Sequence, residues 1–247
     1  MAFQNLFKKE ARSILPVYGG YALVVVFVHI LILYRSHAME YDAIWIAGVL
    51  LPLIFIALIT IGIGYYQLHV EWRTNSIYLL LSLPVRGWKV LLAKLAAALA
   101  MLLATVFGVG ISYVVILLRI TWNDLTANGP ILETTPYLIN ISLHLFWMCA
   151  LAIVFLLLLV QFTFLCGQLA AKLKWLIMLC AFGGMLWLVL RLSPVLSDLL
   201  LWLPDLVFGK PGWDVTYLHM GPFVVLALFC IALLGLNGYL FEKEVEV

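Results

Sequence analysis

The chain has 247 residues, of which 66% are hydrophobic and 11% charged, and its mean hydropathy is +1.15. Soluble domains are about half apolar and a quarter charged, so this composition excludes a water-soluble enzyme. The formal net charge of +2 is too small to indicate a nucleic-acid-binding protein. Since a bilayer-spanning helix takes about 20 apolar residues, the chain has room for about six spans.

Six apolar runs are long enough to predict membrane-spanning helices. They lie at about 17–34, 44–66, 91–118, 138–165, 175–190 and 222–241. The first run is longer than the ~7–15 residues of a cleaved signal and is closed by Arg35, so it is predicted to be an anchor. The predicted fold is an all-α integral membrane protein that forms one transmembrane domain over residues 1–247.

The distribution of Lys and Arg predicts the orientation. If the N-terminus is cytoplasmic, ten of the 14 basic residues lie inside and four outside. The inner set is Lys8, Lys9, Arg12, Arg73, Arg86, Lys89, Lys94, Lys172, Lys174 and Lys243, and the outer set is Arg35, Arg119, Arg191 and Lys210. The positive-inside rule therefore predicts a multi-pass protein of the cell membrane with both termini in the cytoplasm.

The residues before the first span form an amphipathic pattern. Between residues 2 and 15 the apolar side chains recur at helical spacing, with Lys8, Lys9 and Arg12 mostly on the other face. The pattern predicts an interfacial helix over residues 1–16 that lies along the inner leaflet and ends at Pro16.

Polar residues are sparse within the predicted spans. No charged side chain lies near the middle of a span, and Lys94 is close enough to the inner surface to snorkel. This argues against a proton-driven pump, although two histidines remain as exceptions. The polar residues are predicted to form interhelical hydrogen bonds or, alternatively, to line a substrate path: His29, Asn140, His144, Gln161 and Asn237.

The small residues of the third span recur every four positions. They are Ala96, Ala100, Ala104, Gly108 and Ser112, and they predict a stripe along which a neighbouring helix packs closely. After the fifth span, Val195–Leu203 is predicted to form a short outer helix that is capped by Ser193 and stopped by Pro204. This helix either dips back into the outer leaflet or lies as an amphipathic helix on the membrane surface. The acidic C-terminus after Phe241 is predicted to be a solvated tail without a specific role.

The search for catalytic chemistry is mostly negative. The chain has no G-x-x-x-x-G-K-[ST] segment and therefore no phosphate-binding loop of its own. Ser112 with His144 on the next span is loosely similar to an intramembrane serine protease, but no oxyanion hole is evident. The four cysteines lie in apolar runs, which indicates packing residues rather than disulfides or a metal site.

The connection between the second and third spans, Leu68–Lys89, is the most informative segment. Asn75 or Ser76 can cap a short helix that begins at Ile77, and Pro84 ends it. The result is a short apolar helix on the cytoplasmic side, held by the ends of two spans. An exposed apolar helix of this kind is usually covered by another protein or by lipid.

Together with the six spans and the N-terminal helix, this loop resembles the permease subunits of type 2 ATP-binding-cassette exporters. In that family the loop often reads E-x-x-x-G-T-L-E-L-L-L-S-L-P-V-S-R-W-K-I-V-L-G-K. Residues 71–94 read E-W-R-T-N-S-I-Y-L-L-L-S-L-P-V-R-G-W-K-V-L-L-A-K. The positions that match include Glu71, Leu83, Pro84, Trp88, Lys89 and Lys94. Asn75 replaces a glycine, Tyr78 an acid, and Arg86-Gly87 a small-then-basic pair.

The resemblance implies a coupling helix that docks on a separate ATPase subunit. The implied interface consists of Glu71, Arg73, Asn75, Ser76, Ile77, Tyr78, Leu83, Pro84 and Arg86 in the loop, with Lys8 and Arg12 in the N-terminal helix. Two such ATPases and a second permease would complete the exporter. The chain itself would bind no cofactor, because ATP and Mg would sit on the ATPase.

The substrate is predicted to be amphipathic, because the spans carry so little charge. A peptide antibiotic, a drug or a lipid-linked molecule fits this description. Two alternatives remain open at this point. One is a secondary transporter that uses His29 or His144 without an ATPase, and the other is the membrane protease centred on Ser112 and His144.

Overall fold

The structure is a computed structural model that describes residues 2–35, 39–74, 86–127, 131–169, 172–208 and 216–243. Its helices are α1 (Ala2–Arg35), α2 (Tyr41–Trp45), a π-helical turn (Ile46–Leu50), α3 (Leu51–Arg73), α4 (Gly87–Ala127), α5 (Ile131–Gln168), α6 (Lys174–Asp198) and α7 (Gly221–Lys243). Two strands, β1 (Asp205–Phe208) and β2 (Thr216–His219), lie between α6 and α7.

Six helices in the described part of the chain are long and apolar enough to cross a membrane. They are α1, the run from α2 to α3, and α4 to α7, and each contains one of the predicted spans. The prediction of a multi-pass, predominantly helical membrane protein is confirmed at this level. Each helix also extends beyond the predicted apolar run, because helical backbone continues into the polar residues that flank it.

The predicted end of the N-terminal helix at Pro16 is wrong. α1 is one helix of 34 residues with Pro16 inside it. Ile14 and Tyr18 are 1% and 2% exposed, so the buried face continues across the proline. Proline removes one backbone hydrogen bond, and here the burial on both sides of it outweighs that loss. At 1.5 Å per residue α1 is about 51 Å long, which exceeds the ~30 Å hydrocarbon core.

A π-helical turn interrupts the second span, and the sequence did not predict it. Ile46–Leu50 lies between α2 and α3, and Leu51 N–H donates to the Ile46 carbonyl oxygen. Gly48 is buried in this turn, and a Cβ added there would lie 2.9 Å from Tyr113 Cδ2. Glycine is therefore required here because the Tyr113 ring approaches the backbone closely.

The outer segment after the fifth span differs from the prediction. α6 continues through Pro194 to Asp198, so Val195–Leu203 does not form a separate helix. Two short strands follow and pair antiparallel, with Asp205 opposite His219 and Val207 opposite Tyr217. The predominantly helical fold is as predicted, and the sequence did not predict this small hairpin.

The chain divides into two compact units. One contains Met1–Gln67 and Ala93–Gly129, and the other contains Leu68–Leu92 and Pro130–Val247. In the first unit, Ile32, Ile44, Tyr113 and Ile116 form a buried apolar cluster. In the second, α5 packs against α6 and α7, and the buried residues include Leu158, Phe164 and Phe241. The helices α3 and α4 each pass from one unit into the other.

Candidate functional site

The candidate coupling loop lies mostly beyond the residues that the structure describes. Asn75, Ser76, Ile77, Tyr78, Leu83 and Pro84 fall in the segment 75–85, so the predicted helix at Ile77 is outside the described residues. The two ends of the segment are described. Arg73 and Arg86 are exposed, whereas Glu71 is only 5% exposed. Among the described residues of this loop that were predicted at the interface, the two arginines are therefore accessible at the surface.

An aromatic cluster holds the end of α3. The Trp72 ring packs edge-on against Phe164 of α5 at 5.3 Å between centroids, and against Phe241 of α7 at 5.8 Å. His69 makes a further edge-on contact with Phe164 at 6.5 Å. We call Trp72, Phe164 and Phe241 the aromatic cluster. It fixes the last turn of α3 to two other helices of the second unit.

The start of α4 is attached to the end of α7. The Gly87 N–H donates to Glu242 Oε1 at 2.8 Å. A Cβ added to Gly238 would lie 2.7 Å from Trp88 Cβ, so the two backbones approach closely. Glu242, in the last turn of α7, therefore binds the first helical residue after the loop. The prediction of a tail without a specific role is wrong at this residue, because its carboxylate satisfies a helix N-terminal N–H.

The N-terminal part of α1 contains a buried ion pair. Lys8 and Arg12 are exposed, as the predicted interface requires, but Glu10 is only 3% exposed. Lys94 Nζ lies 3.1 Å from Glu10 Oε1, and Lys94 is 1% exposed. Gln67 Nε2 donates to Glu10 Oε2 at 3.4 Å. We call Glu10, Gln67 and Lys94 the charged cluster.

The charged cluster corrects the expectation that Lys94 snorkels to the membrane surface. Its ammonium group is turned inward because the Glu10 carboxylate offers a buried counter-charge. One pattern in the sequence does indicate that Glu10 is buried. Leu6, Glu10, Ile14 and Tyr18 follow one another at intervals of four, and all four are buried. Glu10 therefore lies on the apolar face of α1, where a carboxylate needs a partner.

A second polar site surrounds His29 in the first unit. His29 Nδ1 lies 2.6 Å from Ser112 Oγ, and His29 Nε2 lies 2.8 Å from the Gly48 carbonyl oxygen. A carbonyl oxygen only accepts, so Nε2 carries a proton and donates to Gly48. In the neutral ring Nδ1 then accepts from Ser112. The imidazole that Ser112 contacts is His29 and not the predicted His144.

The remaining polar residues of the spans belong to the second unit. Asn237 Nδ2 on α7 donates to the Leu158 carbonyl oxygen on α5 at 3.0 Å, which confirms the predicted interhelical hydrogen bond for this residue. His144 Nδ1 contacts the Asn140 carbonyl oxygen at 2.8 Å within its own helix. Gln161 is 1% exposed. Asn237 thus connects two helices, whereas the His144 contact is local.

The small residues of α4 do not all serve close packing. A Cβ added to Gly108 would meet nothing within 4 Å. Gly108, Ala104 and Ser112 instead line one side of a cavity of about 290 Å³, and α1 lines the other side with Gly19 and Ala22. In the described part of the chain, the predicted close packing is therefore not seen at Gly108.

Comparison with protein-family models, with curated proteins and with solved structures finds no match to this chain. The geometry of the chain and the resemblance of residues 71–94 are therefore the basis for assigning a function.

Proposed function

We propose that this chain is the permease subunit of an ATP-binding-cassette exporter. The segment 71–86 docks on a separate ATPase subunit, and a second permease and a second ATPase complete the assembly. ATP binding to the ATPases moves the segment, and this movement rearranges the spans as a rigid-body change. The exported substrate is amphipathic, such as a peptide antibiotic, a drug or a lipid-linked molecule. The chain lies in the cell membrane, with both termini on the cytoplasmic side.

One observation supports the proposal: each end of the segment contacts another helix through buried rings or a hydrogen bond. Trp72 is fixed by the aromatic cluster at one end, and Gly87 is fixed by Glu242 at the other. A segment that transmits movement must be held firmly at both ends. If its ends could shift relative to the other helices, those helices would not move with it. The attachments at α5 and α7 satisfy this requirement within the second unit.

The charges at the two ends support the choice of partner. Arg73 and Arg86 are exposed on either side of the segment, and exposed cations favour an acidic protein surface. Lys8 and Arg12 add two exposed cations on α1. Glu71 is buried, so its side chain is not available at the surface to contact the ATPase directly.

The test is co-purification with an ATP-binding-cassette ATPase expressed from the same genome, beginning with any that is encoded beside this chain. Tagged wild-type chain should retain that protein in detergent or nanodiscs. The double variant Arg73→Glu with Arg86→Glu should lower the retained amount by at least about tenfold, because each reversal replaces attraction by repulsion. Failure of the wild-type chain to retain any ATPase would refute the proposal.

A matched control keeps the charge change but moves it to another surface. Arg191 is exposed on α6 and lies on the predicted outer side. Arg191→Glu should leave ATPase retention unchanged. If it lowers retention as much as the double variant, the loss reflects net charge or folding, and docking at residues 71–86 is contradicted.

A further inference from the structure

The charged cluster connects three helices. In the proposed mechanism, these helices move together when the docking segment moves. Glu10 lies on α1, Gln67 on α3 and Lys94 on α4. The three residues are at most 5% exposed, so water does not compete for their contacts. Two groups approach the one carboxylate: the Lys94 ammonium lies 3.1 Å from Glu10 Oε1 as an ion pair, and the Gln67 amide donates to Glu10 Oε2 in a long hydrogen bond of 3.4 Å.

The position of the cluster along the chain is informative. Gln67 precedes Arg73, the last residue of α3, by less than two helical turns, and Lys94 follows Gly87, the first residue of α4, by about two turns. Both helices leave the first compact unit at this level, after Gln67 and before Ala93. A displacement of the segment 75–85 along either helix therefore reaches Glu10 through a short, continuous stretch of backbone.

Stability alone is a weak reason for such a cluster. Buried ion pairs recover little more than the cost of removing both charges from water, and apolar side chains of similar size often serve as well. What an ion pair adds is a fixed register, since a shift of one helix past the other separates the charges. The carboxylate of Glu10 thus ties the position of α1 to the positions of α3 and α4.

We propose that the Glu10–Gln67–Lys94 cluster is the joint that passes movement of the ATPase-docking segment to the N-terminal helix. This inference rests on the proposed function, since it names how that segment acts on the spans. Glu10 is a positioning residue: it acts through Lys94 and Gln67 and contacts neither ATP nor substrate. When the segment moves, α1 moves with it.

The first experiment uses the chain alone in nanodiscs. Hydrogen exchange of backbone amides 3–13 is compared between wild type and the neutral pair Glu10→Gln with Lys94→Met, which leaves no unpaired charge to unfold the helix. Loss of the joint should raise exchange in this stretch. Lys9→Gln is the control, because Lys9 also faces Glu10, at 3.7 Å, but has a side chain that is 56% exposed. Unchanged exchange in the neutral pair overturns the inference.

The second experiment measures transmission in the complex with the ATPase. The four cysteines are replaced by Ser, and Asn5→Cys places one thiol on an exposed position of α1. Its labelling rate by a membrane-impermeant maleimide is recorded with and without a non-hydrolysable ATP analogue. In the chain that keeps Glu10 and Lys94, called the native background, the nucleotide should change the labelling rate of the thiol at position 5. The neutral pair should lose this change in labelling rate, although it should still retain the ATPase in a pull-down. The swap Glu10→Lys with Lys94→Glu should restore the response.

The outcomes separate the two proposals. If the native background never retains the ATPase, the proposed function fails, and the exchange experiment still decides whether the joint exists. If the ATPase is retained and the neutral pair keeps the full nucleotide response, the joint is refuted and the proposed function stands. A response that is lost in the neutral pair and returns in the swap supports the joint, because a merely structural defect would not follow the sign of the charges.

Discussion

The charged cluster and the aromatic cluster hold consecutive stretches of the same two helices by different forces. Gln67 and Lys94 meet a carboxylate, whereas Trp72 packs edge-on against two rings, and Trp88 lies against Gly238. Ring contacts are short-ranged, since a gap of about 0.5–1 Å already forfeits about a quarter to a half of the dispersion energy. The energy of an ion pair falls only with the inverse of the distance, and its sign is set by the two charges.

These two kinds of contact predict which substitutions α3 and α4 tolerate at each cluster. At the charged cluster the sign of each side chain matters most, and its volume matters less. At the aromatic cluster the volume and the backbone clearance matter most. Substitutions that alter charge in one place and volume in the other separate these two sensitivities.

The largest effect is expected at Lys94. Lys94→Ala leaves the Glu10 carboxylate buried without its ammonium partner, and breaking a buried pair in this way costs about 3–5 kcal/mol. The free energy of unfolding, measured by denaturant titration of the reconstituted chain, should fall by this amount. The neutral pair Glu10→Gln with Lys94→Met should recover more than half of the loss. A neutral pair as unstable as Lys94→Ala would show that volume, not charge, is the requirement.

A smaller effect is expected where α7 approaches the start of α4. Gly238→Ala introduces a methyl group 2.7 Å from Trp88 Cβ, and overpacking of this kind costs about 1–3 kcal/mol. Gly235→Ala on the same helix is the control, since its Cβ would meet nothing within 4 Å. It should be neutral or stabilise by up to about 1 kcal/mol. Equal losses in the two variants would contradict the close approach at Trp88.

The hydrogen bond between α7 and α5 is expected to contribute still less to the free energy of unfolding. Asn237→Leu removes the amide that donates to the Leu158 carbonyl oxygen, and such bonds in membrane proteins contribute about 0.6 kcal/mol and rarely more than about 1.7. The same denaturant titration should report a loss in this range. Asn140→Leu, at an exposed position, should have no measurable effect. A loss at Asn140 as large as the loss at Asn237 would contradict a specific role for the bond to Leu158.

The smallest effect is expected at the exposed lysine beside the charged cluster. Lys9 and Lys94 both approach Glu10 Oε1, at 3.7 Å and 3.1 Å, but only Lys94 is buried. Exposed ion pairs are weak, so Lys9→Gln should cost less than about 0.5 kcal/mol. A thermal-unfolding comparison with Lys94→Ala checks this contrast directly. Similar losses would mean that the total charge near Glu10 matters and burial does not.

The spans could be predicted because their signal is local. A run of about 20 apolar residues is sufficient to indicate a membrane helix, whatever lies elsewhere in the chain. The predicted bond of Asn237 to another helix followed from the cost of an unpaired amide among apolar side chains. Proline was misleading for the same local reason: Pro16 predicted a helix end, but it lies inside a helix that continues past it. The separate outer helix predicted after Ser193 is likewise replaced by a longer helix that contains Pro194.

The features that were missed depend on residues far apart in the sequence. The Glu10–Lys94 pair joins two positions whose partnership no local pattern shows, so Lys94 was predicted to reach the surface instead. The π-helical turn at Ile46–Leu50 adds one residue to a helical repeat without any change in composition. The strands β1 and β2 have four residues each, which is too short for alternation to identify them.

Pro16 has a mechanical consequence for α1. Its ring nitrogen carries no hydrogen, so the backbone ladder lacks the bond that would join it to the Arg12 carbonyl group. Bending a helix normally stretches such bonds, and at this level one of them is already missing. α1 can therefore pivot between its first three turns and the rest of its length more cheaply than a helix with an unbroken ladder. The proline lies six residues beyond Glu10. It is therefore placed to act as a hinge for the part of α1 that contains Glu10.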